Sequence, residues 1–71
     1  MAVLVVFVRK IQVVDDFLLS HGQEIYPISS LVKNNLELEF QTDGSYYNEL
    51  REAHLVLNLK KLRVVVRDIH Y

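Results

Sequence analysis

The stretch Leu36 to Lys60, LELEFQTDGSYYNELREAHLVLNLK, decides how the fold is read. In its first run Leu36, Leu38 and Phe40 alternate with Glu37, Glu39 and Gln41, the period-2 pattern of a half-buried strand. In its second run Leu55, Leu57 and Leu59 alternate with His54, Val56, Asn58 and Lys60, which reads the same way. Two strands with single apolar faces must share a core, and Asp43-Gly44-Ser45 supplies the bend between them. A helical pattern competes inside the stretch. With Ser45 as its cap, a helix over Tyr46 to His54 lines Tyr47, Leu50 and His54 along one face and leaves Arg51 and Glu52 outside.

Upstream, Ser29 to Asn35 reads as a connection, with Leu31 and Val32 tucked under it and Lys33-Asn34-Asn35 making the turn. Gln23 to Ile28 is a short extended segment. Pro27 holds Tyr26 extended and removes a ladder donor, so the segment lies at a sheet edge or enters a loop. His21-Gly22 is a turn signal. Ile11 to Ser20 admits a helix through Val14, Phe17 and Leu18, or two short strands interrupted at Asp15-Asp16, and the strand reading is preferred. Ala2 to Val8 is an apolar run closed by Arg9-Lys10. Its charges follow the run instead of preceding it, unlike a signal peptide, and seven residues are too few for a membrane span. It reads as a strand buried on both faces, with an exposed, aggregation-prone edge as the alternative. Downstream, Leu62 to Arg67 is a further strand candidate, and Asp68 to Tyr71 a frayed end.

Around five strands and few helical windows make the expected class mainly β: a partial antiparallel sandwich with, at most, one short helix, in a single domain over residues 1–71. A chain of 71 residues buries only about 60% of its unfolded surface, so its stability margin is thin. The absence of Cys rules out both disulfide staples and thiolate metal sites. A net charge of -1 gives no electrostatic footprint for nucleic acid or an anionic membrane, and with 51% hydrophobic residues it weakens repulsion between copies.

From Glu24 onward the succession Ile25-Tyr26-Pro27-Ile28-Ser29-Ser30-Leu31, Leu38-Glu39-Phe40, Gly44-Ser45-Tyr46-Tyr47-Asn48-Glu49-Leu50 and Leu55-Val56-Leu57-Asn58-Leu59 resembles the N-terminal part of penton-type minor capsid proteins. These belong to Polinton (Maverick) elements and related double-stranded DNA viruses. The family-like segment is residues 24–60, roughly half the chain. The resemblance implies the first strands of a single jelly roll, a structural role in a virion and other capsid-like subunits as partners. A full jelly roll needs about eight strands, so the chain reads as a fragment or gene remnant. The second reading is a small standalone module, intracellular, that captures a partner chain by adding a strand to an exposed edge, while the fragment reading expects self-association through its uncovered strands.

The residues with chemical potential do not assemble a site on paper. His21, His54 and His70 match no metal-ligand spacing and read as surface or turn histidines. Glu37 and Glu39, about 6.5 to 7 Å apart on one strand face, have the separation of an acid/base pair but alternate with leucines and read as a solvated face. Ser20-His21 and Asp15-Asp16 supply triad letters without the strand-turn-helix elbow that holds a nucleophile. Lys60, Lys61, Arg63 and Arg67 beside Tyr46, Tyr47 and Tyr71 have the ingredients of a nucleic-acid surface, yet Glu37, Glu39, Glu49 and Glu52 balance them. The expectation is therefore a non-enzymatic protein with no cofactor, metal, nucleic acid or membrane partner, acting on other protein chains.

Overall fold

The alternation at Leu36 to Gln41 becomes the middle strand of a sheet. The fold is that of a computed structural model describing residues 2–20 and 24–69. In chain order the elements are β1 (Val3–Phe7), β2 (Ile11–Val14), β3 (Phe17–Ser20), β4 (Glu24–Pro27), α1 (Ile28–Lys33), β5 (Glu37–Thr42), α2 (Tyr47–Leu59) and β6 (Val64–Asp68). Strand outweighs helix, 42% against 30%, so the class is mainly β. The strands form two three-stranded sheets, ordered β1-β5-β6 and β2-β3-β4. The second is antiparallel. The first is parallel, with Val6 beside Phe40 and Phe40 beside Val66.

Parallel neighbours need a crossover, and α2 provides it between β5 and β6. On the covered face of this sheet Val6, Leu38, Phe40 and Thr42 are buried. Leu50, Ala53 and Leu57, spaced i, i+3, i+7, turn the buried stripe of α2 into the same core. Leu18, Ile28, Leu31 and Ile11 complete it from the antiparallel sheet and α1. Full burial of a side chain such as Leu38 or Phe40 contributes about 1.5 to 3 kcal/mol, so the core is shared among a dozen modest terms.

The largest correction to the sequence reading is at Leu55, Leu57 and Leu59, which lie in a helix and not in a strand. Leu57 is fully buried, whereas Leu55 and Leu59 are 59% and 84% exposed. The alternative helix over Tyr46 to His54 describes the region better, although the helix runs on to Leu59 and its N-cap is Tyr46, with no side-chain cap bond from Ser45. Among the described residues two helices form where at most one short one was expected. Ser29 to Asn35 is likewise no plain connection: it carries most of α1, with Leu31 buried and Val32 exposed. Ala2 to Val8 is not buried on both faces. Val3, Val5 and Phe7 project from the uncovered side of an edge strand, and Val6 and Val8 from the covered side.

Other expectations hold. The two-strand reading of Ile11 to Ser20 is met by β2 and β3, which also pair with each other as a hairpin joined through Asp15 at φ 51. Pro27 ends an edge strand, and β6 overlaps the Val run; the frayed end expected from Asp68 does not begin there, because Asp68 closes β6 beside Thr42 and the Ile69 N–H donates to the Thr42 carbonyl. The turn at Asp43-Gly44-Ser45 forms with Gly44 at φ 90, the Ser45 N–H donating to Asp43 Oδ1 and the Gly44 N–H to Thr42 Oγ1. His21-Gly22 and the chain end at His70 and Tyr71 lie outside the described residues.

Both helices end in the same way. After α1, Asn35 takes φ 53 and the Leu36 N–H donates to the Leu31 carbonyl at 2.8 Å. After α2, Lys61 takes φ 59 and the Leu62 N–H donates to the Leu57 carbonyl at 3.1 Å. These 6→1 bonds, with left-handed residues at the position after the cap, are Schellman closures. Each sets a leucine against the helix it closes and aims the chain into the next parallel strand.

Candidate functional site

Because β1, β5 and β6 are parallel, their carboxyl ends gather on one side of the sheet, at Phe7, Thr42 and Asp68. Open α/β sheets bind ligands in the crevices beyond those ends. Two clefts flank the end of β5. One, of about 510 Å³, lies towards β1 and is lined in part by Phe7, Arg9, Asp43 and Tyr46. The other, of about 450 Å³, lies between β6 and α2.

The second cleft exists because α2 covers β6 only along its margin. Val66 pairs with buried Phe40 and so belongs to the covered side, yet it remains 44% exposed. Helical spacing then places Tyr47, Leu50, Arg51 and His54 along the wall contributed by α2. The strand wall consists of Thr42, Gly44, Val66 and Asp68. Thr42 is buried, and its hydroxyl oxygen is held by the Gly44 N–H. His54 Nδ1 lies 3.4 Å from Asn58 Nδ2, which ties one edge of the ring to the helix. Arg51 and Asp68 face this space from opposite walls, and among the described residues neither has an ion-pair partner.

A second feature is the uncovered face of β1 and its outer edge, which among the described residues no strand pairs. The Glu37 N–H donates to the Ala2 carbonyl and the Val8 N–H to the Gln41 carbonyl, so even-numbered residues of this segment serve the ladder with β5. Val3 and Val5 therefore turn their backbone groups away from β5. Phe7 does the same, and its carbonyl accepts from the Ser20 hydroxyl at 3.1 Å. The edge carries no Lys and no Pro, the usual guards of an open strand.

The residues weighed from sequence are scattered and mostly engaged. Glu37 pairs with Arg63 at 3.5 Å and Glu39 with Arg67 at 2.5 Å, across the uncovered face. Glu39 Oε1 is buried and among the described residues takes no hydrogen bond, so Arg67 meets it as a charge lying off the N–H axis. Ser20 is buried and spent on Phe7. Asp16 holds Ser29 and Lys60, while Asp15 makes the hairpin turn. Of the basic and aromatic set, Lys60, Arg63 and Arg67 are paired with carboxylates, and Tyr46 and Tyr47 line different clefts. Among the described residues no group of three His, Asp or Glu side chains is placed to hold a metal ion. No described helix is long and apolar enough to cross a membrane.

Sequence reasoning missed the gathering of Arg51, His54 and Asp68. The i, i+3 spacing of Arg51 and His54 was visible, but Asp68 joins them only through the parallel register of β5 and β6. No protein-family model matches the chain, and neither the curated proteins nor the solved structures contain a match to it.

Proposed function

We propose that the protein is a binding module acting on other protein chains by strand addition at the free edge of β1, and that it works without catalysis. The observation that carries this reading is the unguarded edge at Val3 and Val5, apolar, charge-free and with outward backbone groups. The partner is an extended segment with apolar side chains at alternate positions, and a second copy of β1 qualifies. Antiparallel pairing of two copies sets Val3 opposite Val5 of its mate and extends two parallel sheets into one of six strands. Exposed Val3, Val5 and Phe7 then share a continuous apolar stripe.

The capsid reading rests on the resemblance of residues 24–60, and assembly through β surfaces is common to both readings. Jelly rolls pair their strands antiparallel. The parallel β1-β5-β6 sheet therefore favours the module.

Val5→Lys tests the reading. Val5 is 40% exposed on the uncovered side, so a lysine there leaves the core intact while charging the edge. Wild type should show concentration-dependent association in sedimentation velocity at micromolar levels, and Val5→Lys should run as a monomer with an unchanged melt. Equal association of both proteins sinks the proposal.

A further inference from the structure

We propose that the cleft between α2 and the carboxyl ends of β5 and β6 binds a small zwitterion of the α-amino-acid type bearing an apolar side chain. Its volume of about 450 Å³ falls within the range of small-molecule sites. Leu50 and Val66 supply apolar surface, and Tyr47 an aromatic flank. The charges decide the ligand class. Arg51 stands on the helix wall and Asp68 on the strand wall, and they are not paired with each other.

A purely anionic ligand seated against Arg51 meets the Asp68 carboxylate, and a purely cationic one seated against Asp68 meets the Arg51 guanidinium. A molecule with both charges satisfies both walls. Arg51 takes the carboxylate through its forked N–H groups, and Asp68 takes the ammonium. Thr42 stiffens the strand wall through its bond from the Gly44 N–H, and His54, tied at Nδ1 by Asn58, leaves Nε2 for a second polar contact. The site lies beyond the ends of the strands and not on the edge of β1, so it stands apart from strand addition. One molecule can do both.

The test is an amide-resolved NMR titration of the intact chain with L-leucine, taken to about 10 mM because small ligands of this size bind weakly. Saturable shifts are expected at Gly44, Tyr47, His54 and Val66. On the same wild-type protein, N-acetyl-L-leucine lacks the ammonium and L-leucinamide lacks the carboxylate. Each should bind about tenfold more weakly or worse, the loss expected for one charge-assisted contact. Arg51→Gln should bring leucine down to leucinamide, and Asp68→Asn should bring it down to N-acetyl-leucine. Both side chains are exposed, and the analogue comparison needs no variant at all. Absence of saturable shifts in wild type overturns the proposal. So does N-acetyl-leucine or leucinamide binding as tightly as leucine, which reassigns the cleft to ligands of a single charge.

Discussion

Asp16 Oδ2 accepts the backbone N–H of Ser29 at 2.9 Å, so the first turn of α1 is capped by a residue from the β2–β3 hairpin. The helix cannot cap itself, because Pro27 occupies its N-cap and offers no side-chain acceptor. The Asp16 carbonyl also accepts from the Ile28 N–H at 2.7 Å, and Lys60 Nζ lies 3.5 Å from Asp16 Oδ1. One turn residue thus fastens the antiparallel sheet to the start of α1 and to the end of α2.

This arrangement predicts an acid-dependent loss of stability. The hydroxyl and backbone N–H of Ser29, with Lys60 adding to them, hold the Asp16 carboxyl below its ordinary value of 3.8. Ser45 does the same for Asp43. A carboxyl lowered by folding contributes stability above its unfolded pKa and loses it as pH falls through the folded one. Wild type should therefore melt above Asp16→Asn at neutral pH, and the two should converge only as pH falls below 3.8 and the carboxyl protonates. A constant gap down to strong acid would assign the effect to shape and not to charge.

Substitutions to Asp along α2 distinguish the helix from the strand that its leucines suggest. Leu57→Asp places a carboxylate in a fully buried site, costs several kcal/mol and should prevent folding. Leu55→Asp and Leu59→Asp fall on exposed positions and should each change stability by under about 0.5 kcal/mol, as should Asn58→Asp. Urea titrations give the comparison. Loss of folding in all three leucine variants would restore the strand.

How much of this could be read beforehand depended on where the deciding contacts lie. The alternation at β5 was legible because one side of that strand is buried and its period is unambiguous. The β2–β3 hairpin was legible because Asp15-Asp16 breaks two apolar runs locally. In α2 two periods coexist. Leu55, Leu57 and Leu59 alternate, whereas Leu50, Ala53 and Leu57 recur helically, and tertiary contact with β2 and β6 selects the second. The run NELREA, made largely of good helix formers, was the available signal. Parallel pairing was not legible, since it joins β1 to β5 across an inserted antiparallel sheet. With it went the knowledge that the cleft would bring Asp68 to Arg51.

The same register makes deletion of the Val-rich head a poor probe of association. Starting the chain at Ile11 removes β1, and with it the buried side chains of Val6 and Val8. That truncation should unfold the protein, read as loss of a cooperative melt. A folded, cooperative product would mean that β5 and β6 suffice with α2 as a core.

Lys61 offers a stabilising change. It sits at φ 59, where a side chain other than Gly is strained, and it closes the Schellman turn after α2. Lys61→Gly relieves that strain at the cost of a more flexible unfolded chain, and should raise stability by about 0.5 to 1 kcal/mol. A lower urea midpoint would show that the lysine side chain contributes more than its backbone costs.

The ion pairs on the uncovered face should differ from ordinary surface pairs in one respect. Arg67 is 70% exposed by side chain but its partner Glu39 only 13%, so the carboxylate is the member that depends on the pair. Solvent screening of the guanidinium limits the coupling, which should not exceed about 1 kcal/mol in a double-mutant cycle of Glu39→Gln and Arg67→Gln. The single variants should be unequal. Arg67→Gln leaves a covered carboxylate without its counter-charge and destabilises, whereas Glu39→Gln removes the charge and is close to neutral. Raising salt should narrow the difference between wild type and Arg67→Gln, because the exposed partner is the one screened. Equal losses in the two variants would mean that Glu39 is as well hydrated as Arg67, and that the face at β5 is open to water along its whole width.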